Sequence, residues 1–249
     1  MLELALIGIG TGNPEHLTFQ GARAINAAEV ILLPLKGADK ADLADLRRQV
    51  LAAVLVNPAV RVVEFALPRR DAANPDYRAG VDDWHDAIAL AWAQAIASVP
   101  GARRVALLVW GDPALYDSTL RIAARLQPPP GVRVIPGITA VQALCAAHAI
   151  PLNEIGAPFT VTTGRRLRED GFPPGTDTCI VMLDGETSFR SLDPAGLEIW
   201  WGAYLGMEAE LTECGPLAEA GPRILAARAA AREQHGWIMD IYLLRRRAR

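Results

Sequence analysis

The chain has 249 residues, of which 51% are hydrophobic and 21% charged, with a net charge of −3. This length allows one large domain or two small ones with separate cores. The charge balance lacks the basic excess of nucleic-acid-binding proteins, so we expect no nucleic-acid partner. No stretch approaches the ~18 apolar residues of a membrane span, and the N-terminus lacks the pattern of a signal peptide. A cytoplasmic protein without membrane association is expected.

The cysteines and histidines do not form a metal-binding pattern. Three cysteines, an odd number, lie far apart at Cys145, Cys179 and Cys214, so reduced structural thiols are expected. The four histidines are also scattered. The sequence therefore predicts no metal site.

A first strand is predicted at Leu2–Ile9, and it runs into a glycine-rich loop, Gly8–Glu15. Three glycines at alternate positions followed by Asn-Pro favour a turn that allows a ligand to approach the backbone closely. The loop is not the dinucleotide fingerprint, since the third glycine of GxGxxG is missing and Pro14 stands where a helix should begin.

A second glycine turn follows the most apolar strand of the chain. Val105–Val109 is a short branched run typical of a strand buried on both faces. Trp110-Gly111-Asp112-Pro113 ends it, and a helix is predicted from Leu115 onward. Asp112 would lie at the carboxyl end of this strand, where open α/β sheets bind ligands. A plain helix cap at Asp112 is an equally good interpretation of this segment alone.

The same arrangement recurs a third time. A short strand, Val132–Ile135, ends in the turn Pro136–Ala140, and an alanine-rich helix follows through Ala149. Strands that alternate with helices predict a parallel sheet, so the three turns should converge on one crevice. Other elements predicted in this half are strands at Glu29–Leu35 and Arg61–Leu67, an amphipathic segment over 36–54, an exposed loop over 68–77, and a helix opened by Asp82 and Asp83.

The second half is predicted to be mixed α/β with some antiparallel strands. Residues 151–158 look like a hinge, which puts the domain boundary between 152 and 153 and gives domains 1–152 and 153–249. A mobile charged loop is predicted over 165–175 and a solvated basic tail over 245–249. The regular elements predicted here are strands at Thr160–Gly164, Thr178–Leu183 and Trp237–Leu244, and a helix at Pro216–Glu233.

The three turns, in this order and spacing, resemble those of the tetrapyrrole (corrin and porphyrin) methyltransferases, which use S-adenosylmethionine. The family pattern is a GxGPGD-type loop, a GDP turn and a PG(I/V)(S/T)A turn, which stand here as Gly8–Pro14, Gly111–Ser118 and Pro136–Ala143. Each motif is weak alone, but the three in register are specific, and the resemblance spans the chain. The sequence departs from the pattern at Thr11, where most members have Pro, and at Asn13, where many have Asp.

The resemblance implies two α/β domains: an N-terminal parallel sheet with helices on both faces, and a C-terminal mixed sheet. It implies S-adenosylmethionine as the methyl donor, S-adenosylhomocysteine as its product, no metal, a tetrapyrrole substrate and a homodimer. The donor would lie in the cleft between the domains. By the resemblance, its binding residues would be Thr11, Gly111, Asp112, Leu115, Thr139, Ala140, Met182 and Leu183.

Substrate contacts are expected from Gly12, Asn13 and Pro14 in the first loop. A corrin precursor carries many carboxylates, which Arg165, Arg166 and Arg168 would suit because guanidinium pairs with carboxylate in a bidentate manner. An ordinary solvated charged loop is at least as good an interpretation of these arginines.

The activity implied is methyl transfer to a ring carbon, and the motif details are most similar to the branch of the family that also releases acetate. Transfer from a sulfonium mainly needs alignment, which agrees with the lack of a visible triad. Water directed at an acetyl carbonyl could be assisted by residues near the motifs: Glu15, His16, Tyr116 and Asp117. Alternatives are another methylase of the same family, a nucleotide-binding dehydrogenase and a non-catalytic tetrapyrrole carrier.

Overall fold

A computed structural model of the chain describes residues 1–35, 41–70 and 76–247. By internal contacts the chain divides into two units, Met1–Thr139 and Ala140–Arg249. The sequence analysis places the boundary later, between 152 and 153. The intervening helix, Ala140–Ala147, packs on strands of the second unit, which explains why the division by contacts falls before it.

The first unit is built on a five-stranded parallel sheet with the strand order β3-β2-β4-β1-β5. The strands are β1 (Glu3–Gly8), β2 (Val30–Leu35), β3 (Arg61–Ala66), β4 (Arg104–Val109) and β5 (Gly131–Ile135). The helices are α1 (Phe19–Ala27), α2 (Ala41–Val54), α3 (Tyr77–Ala97) and α4 (Thr119–Ala123), and a 3-10 helix spans Pro14–His16.

Helices cover both faces of this sheet, as predicted. Successive strand residues point to opposite faces, so Leu4 and Leu6 of β1 join a core with Trp92 of α3. Ile7, on the opposite face of β1, joins a second core with Ile25 of α1. Strands β1, β2 and β4 are therefore nearly continuous apolar runs because they are buried from both sides, whereas the edge strands β3 and β5 are largely exposed.

Two helices of this unit begin elsewhere than predicted. Helix α3 begins at Tyr77, ahead of Asp82. After β4 the helix predicted from Leu115 begins only at Thr119, because Tyr116 takes a left-handed backbone with φ of 49°, which interrupts helical geometry. Residues 36–40 of the predicted amphipathic segment and residues 71–75 of the predicted loop lie outside the described part.

The second unit carries a mixed five-stranded sheet with the order β6-β7-β10-β8-β9, in which β6 and β7 pair in parallel and the other neighbouring strands pair antiparallel. This confirms the predicted mixed sheet. The strands are β6 (Phe159–Thr163), β7 (Thr178–Met182), β8 (Leu197–Ala203), β9 (Leu211–Pro216) and β10 (Asp240–Arg246). The helices are α5 (Ala140–Ala147), α6 (Gly164–Asp170) and α7 (Leu217–His235), with a 3-10 helix at Ser188–Ser191.

The predicted mobile loop over 165–175 is wrong in its first half, which is helix α6. The Thr163 hydroxyl accepts a hydrogen bond from the backbone N–H of Arg166, and Gly171 ends the helix at a φ of 75°. Charges four residues apart pair along it, Arg166 with Asp170 among them. The charged residues that suggested a loop therefore form the exposed face of a short capped helix.

The predicted solvated tail is also wrong at its start. Arg245 and Arg246 belong to β10, and Arg245 donates to the backbone carbonyls of Pro151 and Leu152 at 2.8 and 3.0 Å. Residues 248 and 249 lie outside the described part. The first arginines of the run are thus structural members of the second unit.

Candidate active site

The first two glycine turns of the first unit meet directly. Beyond the end of β1, the N–H of Ile9 donates to the carbonyl of Val109 at 2.9 Å. Gly10 and Gly111 then form an antiparallel bridge in which the N–H of Gly111 donates to the carbonyl of Gly10 at 2.8 Å. The loops after β1 and β4 therefore hold each other at the carboxyl edge of the sheet.

Asp112 joins the third turn to the second. One carboxylate oxygen accepts the N–H of Ala114 at 2.7 Å, and the other accepts the N–H of Gly137 at 2.9 Å. The N-cap position of α4 is Ser118 rather than Asp112, so the helix-cap interpretation is wrong. Each oxygen keeps a further lone pair, and the side chain is half-buried.

Glycine is required where these three turns touch. A Cβ built on Gly137 would lie 2.1 Å from the carbonyl oxygen of Gly111, and one on Gly8 would lie 2.7 Å from the same oxygen. Both contacts are with backbone, which cannot swing away. The convergence predicted from the sequence is thus observed as direct contact among three turns.

The first loop also contains a polar pair. The Asn13 side chain accepts the N–H of Glu15 at 2.9 Å and caps the 3-10 helix, which carries His16 back toward the glycines. A Cβ on Gly10 would lie 2.6 Å from the Cβ of His16. The Thr11 hydroxyl lies 2.8 Å from Nδ1 of His16, and Thr11 is only 9% exposed.

The four residues considered for acid–base chemistry occupy different environments. Glu15 is exposed. Tyr116 is 45% exposed in its left-handed turn. The Asp117 carboxylate accepts the N–H and the hydroxyl of Thr119, at the start of α4. Of these four residues, His16 is the one whose side chain makes a hydrogen bond to Thr11 of the first loop.

Met182 and Leu183 follow the parallel strand pair of the second unit. Met182 ends β7, and Leu183 takes a φ of 54° while 67% exposed. A left-handed backbone costs a residue with a side chain about 1–2 kcal/mol. A large apolar side chain held exposed in this conformation is typical of functional sites.

The residue after Leu183 anchors this turn. Asp184 is buried and accepts hydrogen bonds from the N–H groups of Glu186 and Ser188 and from the hydroxyl groups of Ser188 and Tyr242. Burial, together with the neighbouring Asp184 carboxylate, raises the pKa of Tyr242 above its ordinary value. Sequence reasoning missed this network, although an aspartate directly after a buried strand was a usable signal.

Arg228 connects that network to a second carboxylate. Its guanidinium lies 2.8 Å from Asp240 and donates to the backbone carbonyl of Asp184 at 3.0 Å. The indole N–H of Trp201 also donates to Asp240. Because both side chains are buried, removing one of them would leave the other as a buried charge without its partner.

The arginines predicted to bind substrate carboxylates lie on α6. Arg165 and Arg166 are exposed and lie near acidic residues one turn along the helix. Arg168 pairs with Glu186 at 3.1 Å and donates to the hydroxyl of Ser188. They follow the end of β6, the neighbour of β7.

Sequence reasoning also missed Arg47, on α2 in the first unit. Its guanidinium donates to the backbone carbonyl of Leu108 at 3.2 Å and lies 5.0 Å from the ring centre of Trp110. Burial lowers the pKa of Arg47 to about 10, partly offset by Asp117. A fixed positive charge therefore lies beside the second glycine turn.

Among the described residues, no group of histidine, cysteine, aspartate or glutamate side chains is arranged to hold a metal ion. No helix in the described ranges is long and apolar enough to cross a membrane.

The sequence profile of the tetrapyrrole (corrin/porphyrin) methylases matches residues 3–221 of the chain. The chain belongs to this family. The expected methyltransferase activity and the two-unit α/β fold are those of the family.

Two curated relatives are informative for this methylase. Precorrin-6A synthase [deacetylating] from Sinorhizobium sp is 49% identical over 253 residues, covering 100% of the chain and 97% of the relative. Precorrin-2 C(20)-methyltransferase, also from Sinorhizobium sp, is 33% identical over 72% of the chain and 73% of its own length.

Solved structures agree with the fold. A cobalamin synthesis related protein (CobF) from Corynebacterium diphtheriae superposes with a TM-score of 0.82 at 37% identity, and both chains are fully covered. A uroporphyrin-III C-methyltransferase from Thermus thermophilus, complexed with S-adenosylhomocysteine, gives a TM-score of 0.59 at 20% identity over 97% of this chain and 96% of its own. At that identity the second match concerns the fold alone.

The turns of this methylase fit the family's donor, S-adenosylmethionine. A Cβ on Gly111, at a φ of 59°, would lie 3.6 Å from the Cα of Thr139, so the second and third turns bring Gly111 and Thr139 side by side. Asp112 retains acceptor capacity for a ribose hydroxyl or a positive charge. Backbone polar groups beside a carboxylate are a suitable set of groups for a nucleoside sulfonium.

Proposed function

We propose that this chain methylates a ring carbon of a corrin precursor in cobalamin biosynthesis, converting precorrin-5 to precorrin-6A by methylation at C1 with release of acetate. The observation that carries the proposal is the 49% identity, over the whole chain, to a deacetylating precorrin-6A synthase. The departure from the family pattern at Thr11 supports a branch with additional chemistry.

The donor, when bound, supplies an activated methyl group. The chain's own task is alignment, with the reacting atoms held about 3 to 3.5 Å apart. We propose that Gly111, Asp112, Leu115 and Thr139 contact the donor from the strand-end turns of the first unit. Thr11, Ala140, Met182 and Leu183 complete the proposed donor-binding set.

The tetrapyrrole would lie against Gly12, Asn13 and Pro14 of the first loop. Exposed guanidinium groups at Arg165 and Arg166 suit its carboxylates. A cytoplasmic homodimer is proposed from the family resemblance, and sedimentation velocity at micromolar concentration measures that state.

The test is incubation of the protein with precorrin-5 and methyl-labelled S-adenosylmethionine, followed by mass spectrometry and an enzymatic assay for acetate. One methyl gained and one acetate released per turnover supports the proposal. A product that gains a methyl and keeps its acetyl group makes the chain an ordinary ring methylase. Binding without label transfer makes it a carrier.

A further inference from the structure

The Thr11–His16 pair is the feature of the first loop that methyl transfer leaves unexplained. Transfer from a sulfonium needs no base in this position, yet His16 is drawn back against Gly10 so closely that a Cβ there would lie 2.6 Å from its own. Its Nδ1 is 2.8 Å from the Thr11 hydroxyl. In the described part of the chain, the other ring nitrogen, Nε2, makes no hydrogen bond to protein.

The loop that carries this pair lies at the strand ends where the turns converge. Gly10 is bridged to Gly111, the residue before Asp112, so the pair is only a few residues from the proposed donor-binding turn. The hydroxyl of the buried Thr11 is the hydrogen-bonding group that orients His16.

We propose that His16 is the general base for the release of acetate and that Thr11 is its positioning residue. The inference rests on the proposed function, since it concerns the deacetylation step. With its proton on Nδ1, the imidazole donates to the Thr11 hydroxyl oxygen, which leaves the Nε2 lone pair available. A neighbour that fixes one ring nitrogen and so presents the other is the usual way a histidine base is oriented.

The step balances without a redox partner. Nε2 takes a proton from water as the water oxygen bonds to the acetyl carbonyl carbon. The bond from that carbon to the ring then breaks, and its electron pair stays on the ring carbon, which forms the new bond to the methyl group as the sulfonium sulfur keeps the electrons of the old one. Acetyl-bearing ring, methyl cation and water give methylated ring, acetic acid and one proton, which His16 passes to solvent.

The neighbouring candidates are less suited to this role. Glu15 is exposed, and it is the backbone N–H of this residue, not its carboxylate, that hydrogen-bonds to Asn13 in the loop. The Asp117 carboxylate is engaged by the backbone and hydroxyl of Thr119.

The experiment measures the rates of acetate release and of S-adenosylhomocysteine formation, with precorrin-5 as substrate, for the full-length wild type and for His16→Asn. General-base catalysis contributes roughly 100-fold or more, so acetate release should fall about 100-fold in the variant. Methyl transfer should fall with it, while the affinity for S-adenosylhomocysteine, measured by calorimetry, stays unchanged. Gln20→Ala, on the exposed side of the adjoining helix α1, is the matched control and should keep both rates.

Substitutions at Thr11 provide the second arm, which also applies if His16→Asn folds poorly. Thr11→Ser keeps the hydroxyl and should restore most of the acetate release that Thr11→Val, which removes it, loses. Circular dichroism and urea unfolding show that each variant is folded. Unchanged acetate release in folded His16→Asn and Thr11→Val overturns the inference. A wild type that transfers methyl but never releases acetate overturns the deacetylating function itself.

Discussion

At the scale of single residues, Asp112 serves both the fold and the proposed donor site. Its two carboxylate oxygens accept N–H groups from Ala114 and Gly137, so one side chain sets the spacing of two turns. A charged acceptor of this kind contributes about 1.5–3 kcal/mol per hydrogen bond. The same carboxylate has acceptor capacity left for a ligand.

Replacing Asp112 by Ala should therefore lower the free energy of unfolding by about 3 kcal/mol, because the half-buried side chain makes two bonds, each at the lower end of that range. It should also weaken S-adenosylhomocysteine binding roughly ten- to a hundredfold, which corresponds to about 1.4–2.8 kcal/mol. Urea unfolding and titration calorimetry measure the two effects. Asp112→Asn, which keeps one acceptor oxygen, should lie between. Lost stability with unchanged affinity would make Asp112 purely structural.

His85 lies in the core of the first unit and is 2% exposed, with neither ring nitrogen hydrogen-bonded among the described residues. Burial lowers the pKa of His85, and Arg125 and Arg121 lower it further, against the opposite effect of Asp82 and Asp86. Protonation of His85 is therefore less favourable in the folded protein than in the unfolded chain, where the imidazole binds a proton below a pH of about 6.5.

The free energy of unfolding should accordingly have its full value above a pH of about 6.5. Below that pH it should fall by up to about 1.4 kcal/mol per pH unit, until the pH reaches the pKa of His85 in the folded protein. His85→Leu should remove that portion of the pH dependence. Urea unfolding at pH 7.5 and 5.5 compares the two proteins. An equal loss of stability on acidification in both would mean that other groups cause it.

At the scale of elements, the three strand-end turns act as one assembly because their backbones are in contact. Gly137→Ala should lower the free energy of unfolding by about 3 kcal/mol, since its Cβ would lie 2.1 Å from the carbonyl oxygen of Gly111. Gly131→Ala, at the start of the preceding strand β5, is the matched control, because the nearest atom there would be 3.8 Å away. Urea unfolding of both measures the difference, and a tolerated Gly137→Ala would contradict the close approach.

In the turn after β7, by contrast, a substitution is expected to weaken ligand binding without lowering stability. Leu183 is held at a φ of 54° by the hydrogen bonds of Asp184, a conformation that glycine adopts freely. Leu183→Gly should leave the free energy of unfolding unchanged or raise it by up to about 1 kcal/mol, while S-adenosylhomocysteine binds several-fold more weakly. The same urea and calorimetric measurements apply, and undiminished affinity would remove Leu183 from the proposed site.

At the scale of the whole molecule, each unit has its own sheet and core. S-Adenosylhomocysteine at a concentration 100 times its dissociation constant should raise the free energy of unfolding by about 2.7 kcal/mol, because it binds the folded state alone. A nicotinamide dinucleotide should leave it unchanged. A shift with the dinucleotide only would favour a dehydrogenase.

Hydrogen exchange locates that ligand on the molecule. With S-adenosylhomocysteine bound, the amides of 8–12, 111–115, 137–140 and 182–184 should exchange more slowly. The amides of β9, on the edge of the second sheet, should be unaffected and provide the control. Protection confined to the first unit would remove Met182 and Leu183 from the donor site.

The sequence by itself determined much of the fold. Apolar runs with alternating helices predicted the parallel sheet, because strands buried on both faces must be apolar throughout. The three glycine turns were also visible, since close contact between backbones excludes every other residue. Local composition was misleading at 165–175, where charged residues form the exposed face of helix α6, and at Arg245, which binds backbone carbonyls.

Only the tertiary structure decided the roles of individual polar side chains. That Asp112 accepts from Gly137, that Thr11 meets His16, and that Asp184 meets Tyr242 depends on which loops the sheet brings together. A hydrogen bond needs its two atoms within about 3 Å, and residues as far as 94 positions apart reach that distance here. Periodicity reports which face of an element is buried, but not which partner a polar group meets across the fold.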